Sequence, residues 1–499
     1  MNANRGSDGF IVPTSSANEG AAEASKELGE GRDSAERNTD QAALRRTQGR
    51  NKGKSRGLVG VREAARKDST LKFTALLHHV NKDSLVESFY NLKKTAADGV
   101  DKVTWHEYEG ELEVNLADLQ DRIHRGAYRA KPSRRVWISK ADGRQRPIGI
   151  AALEDKIVQK AVQRVLQSIY EEDFLGFSYG FRPGRSQHNA LDALSVGITS
   201  KRVNWILDCD IEGFFDAIDH EWLVKFLEHR IGDRRILRLV SKWLRAGIIE
   251  ESEWSETKVG SAQGSVISPL LANVYLHYVF DLWIEWWRRN RCHSDVIVVR
   301  YADDIVMGFE SRSEAMACVE ELRIRLAKFG LKLHEGKTRL IEFGRYAMEQ
   351  RERRGEPRPE TFDFLGFTHK CSKTRKQGWF TIHRHPVAKR VRIRLQAIKA
   401  KLRKRMHWAI GETARWLRLV VQGWLNYYAV PGTSHSIGRF VSEVTRLWLQ
   451  VLRRRSQRGR RGWTWARMQR LARRHLPRPH IIHPYPEKRF RVRLEARAV

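Results

Sequence analysis

Cysteine is scarce in this chain: four in 499 residues, namely Cys209, Cys292, Cys318 and Cys371, scattered singly with no C-x-x-C pair. Such spacing supports neither a zinc ribbon nor a disulfide framework, and it fits a reducing compartment. No apolar run reaches the roughly 18 residues that a membrane span needs. The N-terminus has no apolar segment of the secretion-signal kind. The expected setting is therefore cytoplasmic and prokaryote-like, with no membrane contact. Internal repeats are absent. Acidic residues are nearly absent from one end: Cys371 to Val499 holds four acids against 33 Lys+Arg.

That last deficit organises the chain. The net charge is +33, with a pI near 10.3. The final stretch carries +29 of it, which leaves +4 on the first 370 residues. Such an excess implies a polyanionic partner, most simply nucleic acid. The basic residues alternate with large apolar ones, which is the pattern of a folded surface rather than a solvated tail. At 499 residues and 41% hydrophobic content, two to four domains are expected. Residues 1–70 hold few large apolar side chains and read as mostly disordered. Their basic stretch from Arg45 to Arg56 reads equally as a nucleic-acid contact or a solvated tail.

Beyond Leu71 the patterning predicts a mixed α+β fold. Leu85 to Tyr108 reads as helical, with a turn at Asp98-Gly99. Arg134 to Lys140 reads as a strand, with Ala141 to Arg144 as a hairpin turn. Ile148 leads into an apolar helix through Val158, Val162 and Val165. Trp205-Ile206-Leu207 is a short buried strand, and a helix with Trp222, Val224 and Leu227 follows. Val296 to Val299 and Ile305 to Met307 flank the polar tip Ala302-Asp303-Asp304, which predicts a hairpin. After Pro386, the residues Val387, Val391, Leu395, Ile398 and Leu402 step by four, four, three and four, making one apolar helical stripe amid Lys and Arg. A second helix is expected from Glu412 to Tyr428, ended by Pro431-Gly432. A basic helical region comes next, with clusters at Arg453 to Arg455 and Arg458 to Arg461.

Two adjacent carboxylates at a hairpin tip repel each other unless something positive neutralises them. Nucleotidyl transfer uses two divalent metals about 3.5–4 Å apart. Hard cations such as Mg²⁺ prefer oxygen ligands, so that chemistry needs about three convergent carboxylates. Asp303 and Asp304 supply two. The third can come from Asp208 or Asp210, which share one face of a strand; local reasoning does not choose between them.

Several blocks, in order, resemble the reverse transcriptases encoded by group II introns. They are Arg146 to Ile150 with Asp155 to Gln159, Ser178 to Ser186, Asp210 to Asp219, Gln263 to Leu276, Tyr301-Ala302-Asp303-Asp304, Gly330 to Thr338, and Phe364 to Phe367. Gly423 to Tyr428 is close to the hallmark of that family's maturase region. The resemblance covers about residues 80–485. It implies a right-hand polymerase of α+β class, with fingers and palm over 71–385, a helical thumb and start of the maturase region over 386–430, and a basic nucleic-acid-binding region over 431–499.

The resemblance also assigns roles. Asp210 lies five residues before Phe215, which is the family spacing between a catalytic carboxylate and a steric gate against ribose. Asp210, Asp303 and Asp304 are then catalytic, and with Ile211 they are the positions of a two-metal Mg²⁺ site. Lys140, Arg146, Phe215, Gln263 and Lys337 are the implied nucleotide-binding residues. Arg182 and Arg185, with Arg394, Lys401 and Arg405 in the basic helices, are the implied RNA contacts. The implied partners are intron RNA, target DNA, an RNA/DNA hybrid and dNTPs. The activities implied are copying RNA into DNA, assisting splicing, and moving the intron by target-primed synthesis. No paired cysteines of an H-N-H endonuclease occur, so an endonuclease-less member is expected. A host-recruited enzyme of defence or repair, or a splicing factor using the fold as scaffold, would show similar blocks.

Overall fold

The computed structural model describes residues 56–139, 145–250, 253–255, 264–374, 376–456 and 462–495. They form two compact units. One runs to Ala190 and resumes over Leu207–Leu340; the other takes Leu191–Ile206 and the chain from Ile341 onward. No helix among the described residues is long and apolar enough to cross a membrane.

The strands of the first unit are β1 (Ser133–Ser139), β2 (Gln145–Ile150), β3 (Trp205–Asp210), β4 (Ile248–Glu250), β5 (Glu253–Ser255), β6 (Val296–Tyr301), β7 (Asp304–Phe309) and β8 (Arg339–Glu342); β3 and β8 straddle its boundary. β1 and β2 pair antiparallel from Arg134↔Ile150 to Ser139↔Gln145, as a hairpin requires. Its turn, 141–144, lies outside the described residues. These two strands belong to a sheet of order β2-β1-β4-β5, and a second sheet has the order β6-β7-β3-β8. The helix Leu153–Asp173 buries Ile157, Val158, Val162, Val165, Leu166 and Ile169. This is the face that its apolar periodicity predicts.

Two expectations need correction. The segment given to disorder contains a helix, Arg56–Lys67. Few apolar residues are needed there, because the helix lies on Leu153–Asp173 with Ala65 buried, and Arg62 Nε donates to Glu172 Oε1 at 2.6 Å. The helical reading of Leu85 to Tyr108 is interrupted earlier than Asp98. A helix over Lys82–Tyr90, capped by Asn81, stops at Asn91. A new one, Trp105–Gly110, starts from a capping box in which Thr104 and Glu107 satisfy each other's backbone N–H groups.

In the second unit, β9 (Phe362–Phe364), β10 (Phe367–Lys373) and β11 (Phe380–Pro386) form a sheet of order β11-β10-β9. Helices Ala388–Lys404, Ile410–Tyr428, Ser434–Arg454, Trp465–His475 and Pro486–Glu495 follow. In the first of these, Ile398 and Leu402 are buried and Val391 and Leu395 half-buried, so the predicted stripe faces protein. Two sequence blocks meet here. The Tyr427 hydroxyl donates to Leu365 O at 2.7 Å, and the Phe367 ring stacks on Tyr427 at 5.6 Å.

Candidate active site

Strands β6 and β7 pair antiparallel from Val296↔Phe309 to Tyr301↔Asp304. Val296 to Arg300 and Ile305 to Phe309 are all buried. The turn is therefore only two residues long, Ala302 and Asp303. Ala302 has φ 56°, a left-handed conformation that costs a non-glycine residue roughly 1–2 kcal/mol. Such two-residue turns match the twist of the flanking strands. Asp303 is half-buried and Asp304 exposed.

β3 neighbours β7 in the sheet and ends on Asp210. Asp208 and Asp210 are both half-exposed, and Cys209 between them is buried. The alternation places both acids on one face. Lys337 Nζ forms an ion pair with Asp210 Oδ2. The backbone joins the same two segments, with His334 N–H donating to Asp210 O at 2.8 Å and Glu212 N–H to Lys332 O at 2.9 Å. Ile211 forms an isolated bridge with Leu333. The Gly330 to Lys337 block is thus tied to the strand end that carries the carboxylate.

Among the described residues no group of three or more His, Cys, Asp or Glu side chains is closed into a metal cage. Magnesium seldom takes such a cage. It binds one or two carboxylates and leaves positions to water and substrate phosphate. Half-exposed carboxylates on a strand end and a hairpin turn fit that open mode, and their hard oxygens suit the ion.

Beneath the turn lies a group that sequence reasoning missed. Arg300 is 0% exposed and pairs with the equally buried Asp281. Burial pushes the Asp281 carboxyl up, and Arg300 pulls it back toward the ionised form. Burial, reinforced by Arg300 and Arg182, holds the neighbouring His277 down at about 3. The sequence carried a signal in Val296-Ile297-Val298-Val299-Arg300, since a cation within a buried strand demands a partner.

Other expected residues fall elsewhere. Arg182 is buried and fully engaged. Its Nε donates to Glu171 at 3.0 Å, its Nη1 to Leu175 O at 2.8 Å and Ser178 O at 3.0 Å, and its Nη2 to Glu171 O at 3.4 Å. These bonds hold its guanidinium inside the protein. Arg185 is half-exposed; it donates to Gly176 O and Ser178 O and lies over the Tyr179 ring. Phe215 is 9% exposed, in a 3-10 turn over Phe214–Asp216. Arg146 stands in β2 opposite Ile138. Lys140, Gln263 and the Arg458 to Arg461 cluster lie outside the described residues. Gly264, next to Gln263, has φ 110°, and a Cβ there would come 2.6 Å from Ile148 Cγ2. The glycine lets this segment approach β2 closely.

In the second unit, Arg394 is half-exposed and Lys401 exposed. The Arg405 guanidinium lies 4.3 Å from the Trp408 ring centroid and 4.9 Å from that of Trp416. Arg467 lies over Trp463 at 4.6 Å.

The profile of the reverse transcriptase (RNA-dependent DNA polymerase) family matches residues 138–369. Protein YkfC of Escherichia coli K12 is 33% identical over 299 residues, 52% of this chain and 78% of that protein. Group II intron-encoded protein LtrA of Lactococcus lactis is 35% identical over 253 residues, 48% of this chain and 41% of LtrA. A 91 kDa protein in the cob intron of Schizosaccharomyces pombe is 43% identical over 222 residues, covering 43% of this chain and 27% of its own length. The match therefore spans less than half of the two intron relatives.

Proposed function

Because this chain belongs to the reverse transcriptases of the group II intron kind, RNA-directed DNA polymerases with a right-hand fold, we propose that the carboxylates at the β6–β7 turn and at the end of β3 are its catalytic centre. The observation that carries this reading is the two-residue turn, which presents Asp303 and Asp304 in the sheet where Asp210 ends the strand beside β7. Asp210, Asp303 and Asp304 would hold Mg²⁺, together with the Ile211 position beside Asp210. When bound, the metal pair lowers the pKa of the primer 3′-hydroxyl and stabilises charge on the leaving pyrophosphate.

The chain's own residues do the rest. Lys337 screens Asp210 and stands where a triphosphate would arrive. Lys140, and Arg146 on β2, take phosphate oxygens. Phe215 lies under the incoming sugar and clashes with a ribose 2′-hydroxyl. Gln263 takes part in nucleotide binding. Residues 71–385 act as fingers and palm, 386–430 as thumb and start of the maturase region.

The second unit supports the RNA-binding half of the proposal. Cations stacked on tryptophans, as in Arg405 on Trp408 and Trp416, suit structured RNA held by phosphate contacts and stacking. Arg394, Lys401, Arg405 and the half-exposed Arg185 contact RNA, and the buried Arg182 braces the loop that carries Arg185. Binding its intron RNA would let the protein assist splicing and then copy that RNA at a DNA target.

Extension of a DNA primer on an RNA template with Mg²⁺ tests the enzyme. Wild type should extend, and Asp303→Ala should do so about a thousandfold more slowly. Extension by Asp303→Ala at the wild-type rate would remove the turn from catalysis. Splicing rescue by a wild-type protein that never extends a primer would favour a scaffold role.

A further inference from the structure

A charged side chain in the middle of a buried strand needs a reason. Arg300 has one for each of its five N–H donors. Nε donates to Asp281 Oδ1 at 2.7 Å, and Nη2 to Asp281 Oδ2 at 2.5 Å and Ser178 Oγ at 2.7 Å. Nη1 donates to Asn273 Oδ1 at 3.0 Å and to the carbonyl oxygen of Ala302 at 3.1 Å. Its backbone is also engaged: Arg300 N–H donates to Phe177 O at 2.9 Å, and Tyr179 N–H donates to Arg300 O at 2.8 Å. Asp281 closes a π-helical turn, His277–Asp281. Such wide turns recur at functional sites.

The bond to Ala302 sets this network apart from an ordinary buried ion pair. Ala302 is the left-handed residue of the turn, immediately before Asp303. The preceding peptide, Tyr301–Ala302, is walled by Gly180, where a Cβ would sit 2.3 Å from Ala302 N. Gly180 is held in turn, because Asn273 Nδ2 donates to its carbonyl at 2.7 Å. The left-handed residue Ala302 is thus gripped at its carbonyl by Arg300 and walled at its nitrogen by Gly180, with Asn273 linking the two.

We propose that Arg300 is a positioning residue. Held by Asp281, Ser178 and Asn273, its guanidinium fixes the Ala302 peptide and so sets where Asp303 and Asp304 present their oxygens to divalent cations. This rests on reading those two carboxylates as metal-holding. Lysine keeps the charge but lacks the planar fork, so it cannot bridge Asp281 and Ala302 together. A buried pair serving stability alone would be indifferent to metal.

The test is Arg300→Lys in the full chain, read by Mn²⁺ titration in electron paramagnetic resonance without substrate, beside its melting temperature. Mn²⁺ affinity should fall about tenfold or more, because displacement on the order of 1 Å at a site of this kind costs roughly 100-fold in function. In primer extension, the Mg²⁺ needed for half-maximal rate should rise by a similar factor, and the KM for dNTP should stay within about twofold. If Arg300→Lys does not fold, Asn273→Ala is read instead, with an expected loss of about threefold or more in Mn²⁺ affinity, since it removes one of the guanidinium's acceptors. A folded variant with wild-type Mn²⁺ affinity and wild-type Mg²⁺ dependence overturns the proposal. Absence of extension by wild type would overturn the polymerase reading instead, and the Mn²⁺ comparison would still decide the role of Arg300.

Discussion

The surroundings of the β6–β7 turn and the basic helices after Pro386 use arginine in opposite ways. Around the turn, Arg300 and Arg182 are buried, and each of their guanidinium nitrogens donates to a named acceptor. In the basic helices, Arg394, Lys401 and Arg405 keep part or all of the side chain in solvent, and the Arg405 guanidinium lies over two indole rings. Burial makes a cation a fixed strut that is costly to disturb. Exposure leaves it available to a polyanion and makes it individually dispensable. One region gives geometry and the other gives grip, and net charge reports only the second.

The sharpest way to separate the two regions is a change that silences one and spares the other. Metal coordination contributes several kcal/mol to charge stabilisation in the transition state. Asp303→Ala should therefore slow primer extension by about a thousandfold, with RNA affinity within about twofold of wild type in a filter-binding assay. A comparable loss in RNA affinity would mean that the two functions share one surface.

Next in size is Asp281→Ala. It leaves Arg300 charged and unpaired in the core, which costs about 3–5 kcal/mol, read as a lower midpoint in urea denaturation. A shift no larger than that of an exposed Lys401→Ala would show that the Arg300 environment is wetter than its burial says.

The pH response sharpens the same contrast. His277 has a folded-state pKa of about 3 against an ordinary 6.5, chiefly because it is buried. The native state thus resists a proton that the unfolded chain accepts. Its contribution is fully present above pH 6.5 and is lost as pH falls toward 3, at up to about 1.4 kcal/mol per pH unit. His277→Asn should flatten that slope in denaturation curves between pH 6 and 4. The smallest effects belong to the exposed cations. Lys401→Ala and Arg405→Ala should each change stability by no more than about 0.5 kcal/mol. They should weaken RNA binding and lower the salt slope of log affinity by about 0.7–0.9 per lost phosphate contact.

Much of this was legible in sequence wherever a local pattern suffices. Two apolar runs around Ala302-Asp303-Asp304 gave the hairpin, and the step of four, four, three and four gave the helix Ala388–Lys404. The shared face of Asp208 and Asp210 followed from strand alternation. What escaped depends on partners remote in the chain. Nothing in Arg182-Pro183-Gly184-Arg185 announces Glu171 as the partner of Arg182. Arg300 received no reading, because Asp281 and Ser178 come to it from other segments. The helix Arg56–Lys67 was hidden by composition, because its stability comes from the helix it lies on.

The central claim is that Asp210 and Asp303, 93 residues apart in the chain, act as one metal-holding unit. A double-mutant cycle on Mg²⁺-dependent primer extension tests it most directly. Groups that act as a unit are grossly non-additive. The account predicts that Asp210→Ala/Asp303→Ala is no slower than the slower of the two single variants. Losses that multiply would show two independent contributions and contradict it.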